Sequence, residues 1–209
     1  EFPNATRRSL ENCVTLSISQ RAACVLIAGY RFDVEWQDVV TGLFFAKRMA
    51  RLHEAGIPVE LLRGNHDARS VIPRDLPLPG NVHVFGAPAA DTWELPEANA
   101  AIHGQSFATP DVRANLAAAY PPLVPGALNI GMLHTALTGR EGHDAYAPCT
   151  PAELETHGYD YWALGHVHTR ECVSETPPIH FPGNTQGRHA RETGPKGCLL
   201  VREIGRAHV

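Results

Sequence analysis

No run of about eighteen apolar residues, the minimum for a membrane-spanning helix, occurs anywhere in the 209-residue chain. The first residues hold no basic stretch followed by an apolar core, so no secretory signal is read there. Cysteine is scarce and unpatterned: Cys13, Cys24, Cys149, Cys172 and Cys198 are widely spaced, odd in number and without a Cys-x-x-Cys pair. That excludes a disulfide framework or a zinc knuckle and points to reduced thiols in a cytoplasmic protein. Positive charge is not in excess either. The formal net charge is −4 and the isoelectric point about 6.3, and no basic stripe of the kind that marks a nucleic-acid-binding domain stands out. Internal repeats and low-complexity tracts are absent. What is present is apolar mass, 44% of the residues, enough for one substantial core in a single domain or in a small domain of two lobes.

Local patterns divide the chain into alternating elements. Thr6 to Gln20 reads as an amphipathic helix. Cys24 to Gly29 is a short strand, apolar on both faces, as expected inside a parallel sheet covered by helices. Val39 to Ala55 has helical spacing and ends at Gly56, a good residue for the position after a helix. The apolar strand from Ile57 completes a strand–helix–strand unit. Prolines between Ser70 and Gly80 predict a loop. Val82–Phe85, Thr92–Leu95 and Ala101–His103 read as short strands of a local antiparallel patch. Thr109-Pro110-Asp111 looks like a helix start leading to Tyr120, followed by a proline-marked connection. Leu137 to Cys149 reads as a long loop. Thr150-Pro151-Ala152-Glu153 is a capping box whose helix stops at Gly158. Cys172–Ser174, Ile179–Phe181 and Gly197–Val201 complete the set as strands.

Three strand ends carry polar groups suited to chemistry. Ile57 to Leu62 runs into Arg63-Gly64-Asn65-His66-Asp67; Leu128 to Leu133 ends on His134; Tyr161 to Leu164 ends in Gly165-His166-Val167-His168. Open α/β folds keep their ligands at such carboxyl edges. If the last strand continued, the imidazoles of His166 and His168 would point the same way. Neutral imidazole suits Zn, Mn or Fe, and an amide oxygen suits the harder end of that range. A single histidine after a strand is usually structural, whereas three such ends together point to a metal site.

The combination of Arg63-Gly64-Asn65-His66-Asp67 with Gly165-His166-Val167-His168 about a hundred residues later resembles the calcineurin-like metallophosphoesterases. Within that superfamily it is most similar to the DNA-repair exonucleases of the SbcD type, whose eukaryotic relatives are the Mre nucleases. The likeness runs from about Ala5 to about Val201. It implies an α/β fold, a two-sheet sandwich flanked by helices; spacing alone leaves an ordinary doubly wound sheet equally open. It implies metal-dependent phosphodiester hydrolysis with two manganese ions. Asn65, His134 and His166 would be ligands of one ion and His168 a ligand of the other. His66 would contact the phosphate and assist the leaving group, with Asp67 orienting it, although a turn cap is the plain alternative for Asp67. The resemblance also implies DNA as substrate, an SMC-like ATPase as partner and a homodimer, with no membrane association.

Two departures from the family pattern affect the expected centre. The Gly-Asp-x-x-Asp motif, whose first Asp bridges the two metals, reads here Gly29-Tyr30-Arg31-Phe32-Asp33. A phenol that titrates near 10 and offers one oxygen is a poor bridge. Asp33 remains, either beside the metal ligands or as a turn residue. The family's opening Asp-x-His strand has no counterpart before Ala5. One ion or none is therefore expected in the chain as it stands, which reads as a domain over residues 1–202 lacking its first strand, with a non-native tail over 203–209. Its free sheet edge predicts low solubility. Arg188 and Arg191, in the glycine-bearing loop from Pro182, could pair with phosphate or simply be solvated. His103 reads as structural, and His143 and His157 as exposed. Three functions follow: an exonuclease of the SbcD type, impaired in this chain; an inactive phosphoesterase-like binding module; or a phosphomonoesterase or cyclic-nucleotide phosphodiesterase of the same superfamily.

Overall fold

The computed structural model describes residues 2–29, 39–69, 77–138, 146–187 and 190–202. The amino-terminal half supplies α1 (Phe2–Ser19), β1 (Val25–Ala28), α2 (Val39–Glu54), β2 (Val59–Leu62) and β3 (Val82–Val84). These three strands form one parallel sheet in the order β1-β2-β3. The rest supplies β4 (Asp91–Leu95), β5 (Ala100–Gly104), β6 (Leu128–His134), α3 (Pro151–Glu155), β7 (Tyr161–Gly165), β8 (Glu171–Glu175) and β9 (Pro178–Phe181). Here the strands make a six-stranded sheet in the order β4-β5-β6-β7-β9-β8. Its central strands are parallel, and β4 and β8 close it antiparallel at either side. The architecture is the expected two-sheet α/β sandwich.

Strand parity explains the layering. Successive side chains of a strand face opposite ways, and each strand here divides its residues between two cores. In the first sheet Val25, Ile27, Val59, Leu61, Val82 and Val84 pack outward against α1 and α2, with Val14, Phe45, Met49 and Leu52. The alternate residues Leu26, Ala28 and Leu62 pack inward against Ile102, Ile130, Met132 and Tyr161 of the second sheet. On the far side of that sheet Leu133, Trp162, Leu164 and Ile179 form a third core with Tyr159 and the α3 residue Leu154. Glu11 of α1 forms ion pairs with Arg48 and Arg51 of α2, holding the two helices together. The α3 capping box is present as read, Glu153 N–H donating to the Thr150 hydroxyl and the Glu153 carboxylate accepting from Thr150 N–H.

Several sequence expectations fail for identifiable reasons. The stretch from Thr109 to Tyr120 forms no α-helix; a short 3₁₀ turn at Ala117–Ala119 is its regular element. The Thr109 hydroxyl bonds the Asp111 carbonyl, and the Val112 carbonyl accepts from Ala147 N–H, so local and tertiary partners displace the helical ones. β3 does not join an antiparallel patch but pairs parallel with β2, while β4 and β5 do form an antiparallel hairpin. β1 is an edge strand and half-exposed throughout, not an interior one. Residues 197–202 form no strand among the described residues. They lie along a groove of about 1270 Å³ whose other walls include Cys13 and Val14 of α1, Leu26 of β1 and Ile130 of β6. Among the described residues β1 pairs with β2 alone. His157 is half-buried against the rings of Tyr159 and Trp162, not exposed. No helix among the described residues is long and apolar enough to cross a membrane.

Candidate metal centre

The polar end of the groove lies where the carboxyl ends of β2, β6 and β7 meet, and it is lined by Asn65, His66, Asp67, His134, His166 and His168. His134 is its pivot. It has the same parity on β6 as Ile130 and Met132, which face the gap between the sheets, so the strand aims its imidazole across at the first sheet. Its Nδ1 lies 3.1 Å from the Ala28 carbonyl oxygen and its Nε2 3.0 Å from Asn65 Oδ1. Close approach needs glycine on both sides. A Cβ at Gly64 would come within 2.5 Å of the imidazole, and one at Gly165 within 1.5 Å of the Ala28 oxygen.

Burial drives the His134 titration down to about 3, assisted by His166, His66 and His168 and opposed by the bond to Ala28. The ring is neutral at physiological pH, the protonation state that ligates a metal. Phe107 sits edge-on to it at 5.3 Å and limits water access from that side.

His166 does not continue the strand. β7 ends at Gly165, and His166 takes φ +93°, a conformation that costs a non-glycine residue about 1–3 kcal/mol and clusters at functional sites. Had the strand run on, parity would have sent this ring toward the outer core with Trp162 and Leu164. It instead lies 5.3 Å from His134 and 5.4 Å from Tyr146, centroid to centroid. The condition under which His166 and His168 would point the same way, a strand running on past Gly165, is not met, and His168 lies with its Nδ1 2.6 Å from Glu192 Oε1.

Asn65, His134 and His166 thus converge as a two-imidazole, one-amide donor set. Among the described residues no group of three or more His, Cys, Asp or Glu side chains closes on one point. That set, its central ring neutral and tightly seated, fits one divalent cation. His168, expected at a second metal position, lines the same groove. Asp67 Oδ2 accepts from Gly64 N–H at 2.8 Å and closes the turn that presents Asn65 and His66. His66 is half-buried in the groove wall. Arg191 is exposed and stands outside that wall. Tyr30, Asp33 and Arg188 lie outside the described residues, as does His143. His103 is structural as read: it is buried, its two ring nitrogens face the Thr92 hydroxyl and Asn129 Oδ1 at 2.8 and 3.0 Å, and its face stacks on Tyr159. Sequence reasoning missed Tyr146 and Glu192, which reach the centre from loops and carry no spacing signal.

Fold and centre together are a two-sheet α/β sandwich with imidazole and amide groups gathered at the polar end of its groove. The chain is 37% identical over 216 residues to a protein of Bacillus subtilis (strain 168) named uncharacterized metallophosphoesterase YhaO, a match covering 98% of this chain. That likeness supports the metallophosphoesterase superfamily. The match takes in 53% of the relative, so the chain spans about half its length. No family model matches. One solved crystal structure overlays on 85% of this chain and 75% of its own at 14% identity, with a TM-score of 0.42, too slight to carry an argument.

Proposed function

We propose that the protein from which this chain derives hydrolyses phosphodiester bonds with the help of divalent metal, as a DNA exonuclease of the SbcD type working with manganese. The observation that carries the reading is the meeting of Asn65, His134 and His166 from three strand ends of two sheets, around a ring held neutral. Bound metal would polarise the phosphoryl oxygens and activate water. This chain's own residues hold that metal and place His66 beside it in the groove wall, where an imidazole can contact the phosphate and give a proton to the leaving oxygen. DNA, an SMC-like ATPase and a second copy of the chain are the partners this reading takes from its resemblance to the family.

The chain as it stands is a metal-poor form of that enzyme. Tyr30 stands where the family has its bridging Asp, and the open edge of β1 beside the groove is where we place a further strand bearing Asp-x-His. With one complete donor set, single-metal binding without turnover is expected. The test is manganese-dependent cleavage of DNA ends and of a small aryl phosphodiester, by this chain and by a version with Tyr30→Asp and an upstream Asp-x-His strand. Cleavage by the restored version alone is expected. No cleavage by either overturns the hydrolase reading, and turnover by the unaltered chain overturns its description as metal-poor. Preference for the aryl diester over DNA would move the substrate to a small phosphoester.

A further inference from the structure

We propose that Cys13 and Cys198 are a redox pair, whose oxidation to a disulfide latches residues 197–202 onto α1 over the apolar end of the groove. The pair stands apart from the metal centre, and its role does not depend on the hydrolase reading. Ser9, Cys13, Leu16 and Gln20 follow one another at helical steps of four and three residues and so share one face of α1. Gln20 keeps the helical turn, its N–H donating to the Leu16 carbonyl at 2.9 Å. Along that face runs the last part of the described chain. The Ser9 and Thr185 hydroxyls bond at 3.1 Å, and Arg202 Nη2 donates to Gln20 Oε1 at 2.8 Å. Between these two fastenings the thiols of Cys13 and Cys198 meet in a hydrogen bond, and both line the groove. From Cys13 to Gln20 the helix rises about 10 Å, and from Cys198 to Arg202 the chain spans at most about 14 Å, so the segment can keep step with the helix.

The two thiols are unequal. Cys198 is exposed and Cys13 half-buried. Their shared hydrogen bond draws the Cys198 thiol down to about 6 and pushes Cys13 up, so Cys13 donates to a Cys198 thiolate. Cys24, which also lines the groove, is pushed up to about 11 by burial, and buried Cys149 likewise. The thiolate is the form that reacts with oxidants, and access decides the rest, so Cys198 reacts first. With hydrogen peroxide as the oxidant, the Cys198 sulfur attacks one peroxide oxygen. An S–O bond forms, the O–O bond breaks, and the hydroxide released takes up the proton that Cys198 gave on ionising. The Cys13 sulfur then attacks the sulfenic sulfur. The S–S bond forms, the S–O bond breaks, and the hydroxyl leaves as water with the Cys13 proton. Each sulfur has lost one electron and the peroxide has gained both. Leu199 and Leu200, next along the chain, line the groove with Leu26 and Ile130, so a covalent tie at Cys198 holds an apolar cover in place that hydrogen bonds hold in the reduced chain.

The test treats the reduced chain with one equivalent of hydrogen peroxide, blocks the remaining thiols with N-ethylmaleimide and maps the tryptic peptides by mass spectrometry. The expected product joins Ser9–Arg21 to Gly197–Arg202 within one monomer, and dithiothreitol separates them. Hydrogen exchange then reads the latch: the amides of residues 198–202 are expected to exchange about tenfold more slowly in the oxidised monomer than in the reduced one. Cys198→Ser, at an exposed position, is expected to lose both effects. Three results overturn the proposal: Cys13 blocked in full while Cys198 passes on to sulfinic or sulfonic acid, disulfides that form between monomers instead, or a Cys13–Cys198 bond that leaves the exchange unchanged within twofold. All three are read on the unaltered chain, so the proposal is decided whether or not the variant folds. Neither metal nor substrate enters these readings, so failure of the hydrolase reading would leave them standing, and the reverse holds too.

Discussion

Glu60 shows how one residue can be set against its surroundings by parity alone. On β2 it lies between Val59 and Leu61, which face the helices, and so its carboxyl faces the gap between the sheets, fully buried. Its register partner on β3 is His83, whose Nδ1 lies 2.9 Å from Glu60 Oε2 and whose ring stacks on Trp93 of the opposite sheet at 4.1 Å. Burial pushes the Glu60 carboxyl up to about 8 and His83 down. At neutral pH the pair is a carboxylic acid donating to a neutral imidazole. In the unfolded chain Glu60 ionises freely near 4.5, so the folded state holds its proton to higher pH, and the stability it contributes is lost as pH rises toward 8. The histidine works in the opposite sense, its depressed titration costing stability as pH falls below about 6.5. Between pH 6.5 and 8 the glutamate dominates. The melting temperature of the chain is predicted to fall across that window, and Glu60→Gln to flatten the fall; an unchanged slope in the variant would show that Glu60 is ionised in the folded state.

Among the elements, β7 and the turn after it carry the closest fit. Tyr161, Ala163 and Gly165 share the inward face, and at Gly165 the backbone of β1 comes so near that an added Cβ would overlap the Ala28 oxygen. Gly165→Ala is predicted to push β1 and β7 apart, destabilise the fold by at least about 1–3 kcal/mol and free His134 from its bond to Ala28; urea unfolding measures the first and the His134 ring signals the second. A stability equal to the parent within error would mean the sheets do not meet as closely as described. The strand ends themselves were legible in sequence, because apolar runs terminating in Asn65, His134 and His166 are local patterns. What was not legible depends on tertiary partners. The left-handed turn at His166 replaces the strand that alternation predicted, the segment after Thr109 gives up a helix for bonds to Asp111 and Ala147, and β3 joins the first sheet because Val59 N–H finds the Asn81 carbonyl. Glu192 reaches His168 across 24 residues of loop and strand, a contact no spacing rule contains.

At the scale of the whole molecule, the groove and the metal centre are one feature. Its apolar end runs between the free side of β1 and residues 197–202, and its polar end holds the histidines. A parallel strand laid there would bury the apolar walls and satisfy the backbone of β1 on that side, and its carboxyl end would emerge at the polar end of the groove, which His168 lines. In the proposed reading one added segment would complete both the edge of β1, which among the described residues pairs with β2 alone, and the metal position proposed at His168. Manganese titration by calorimetry, on this chain and on the version with an upstream Asp-x-His strand and Tyr30→Asp, tests that link most directly. At most one ion bound by the chain and two by the restored version is the predicted result. Two ions bound by the chain as it stands would contradict it, and would make Tyr30 a working ligand.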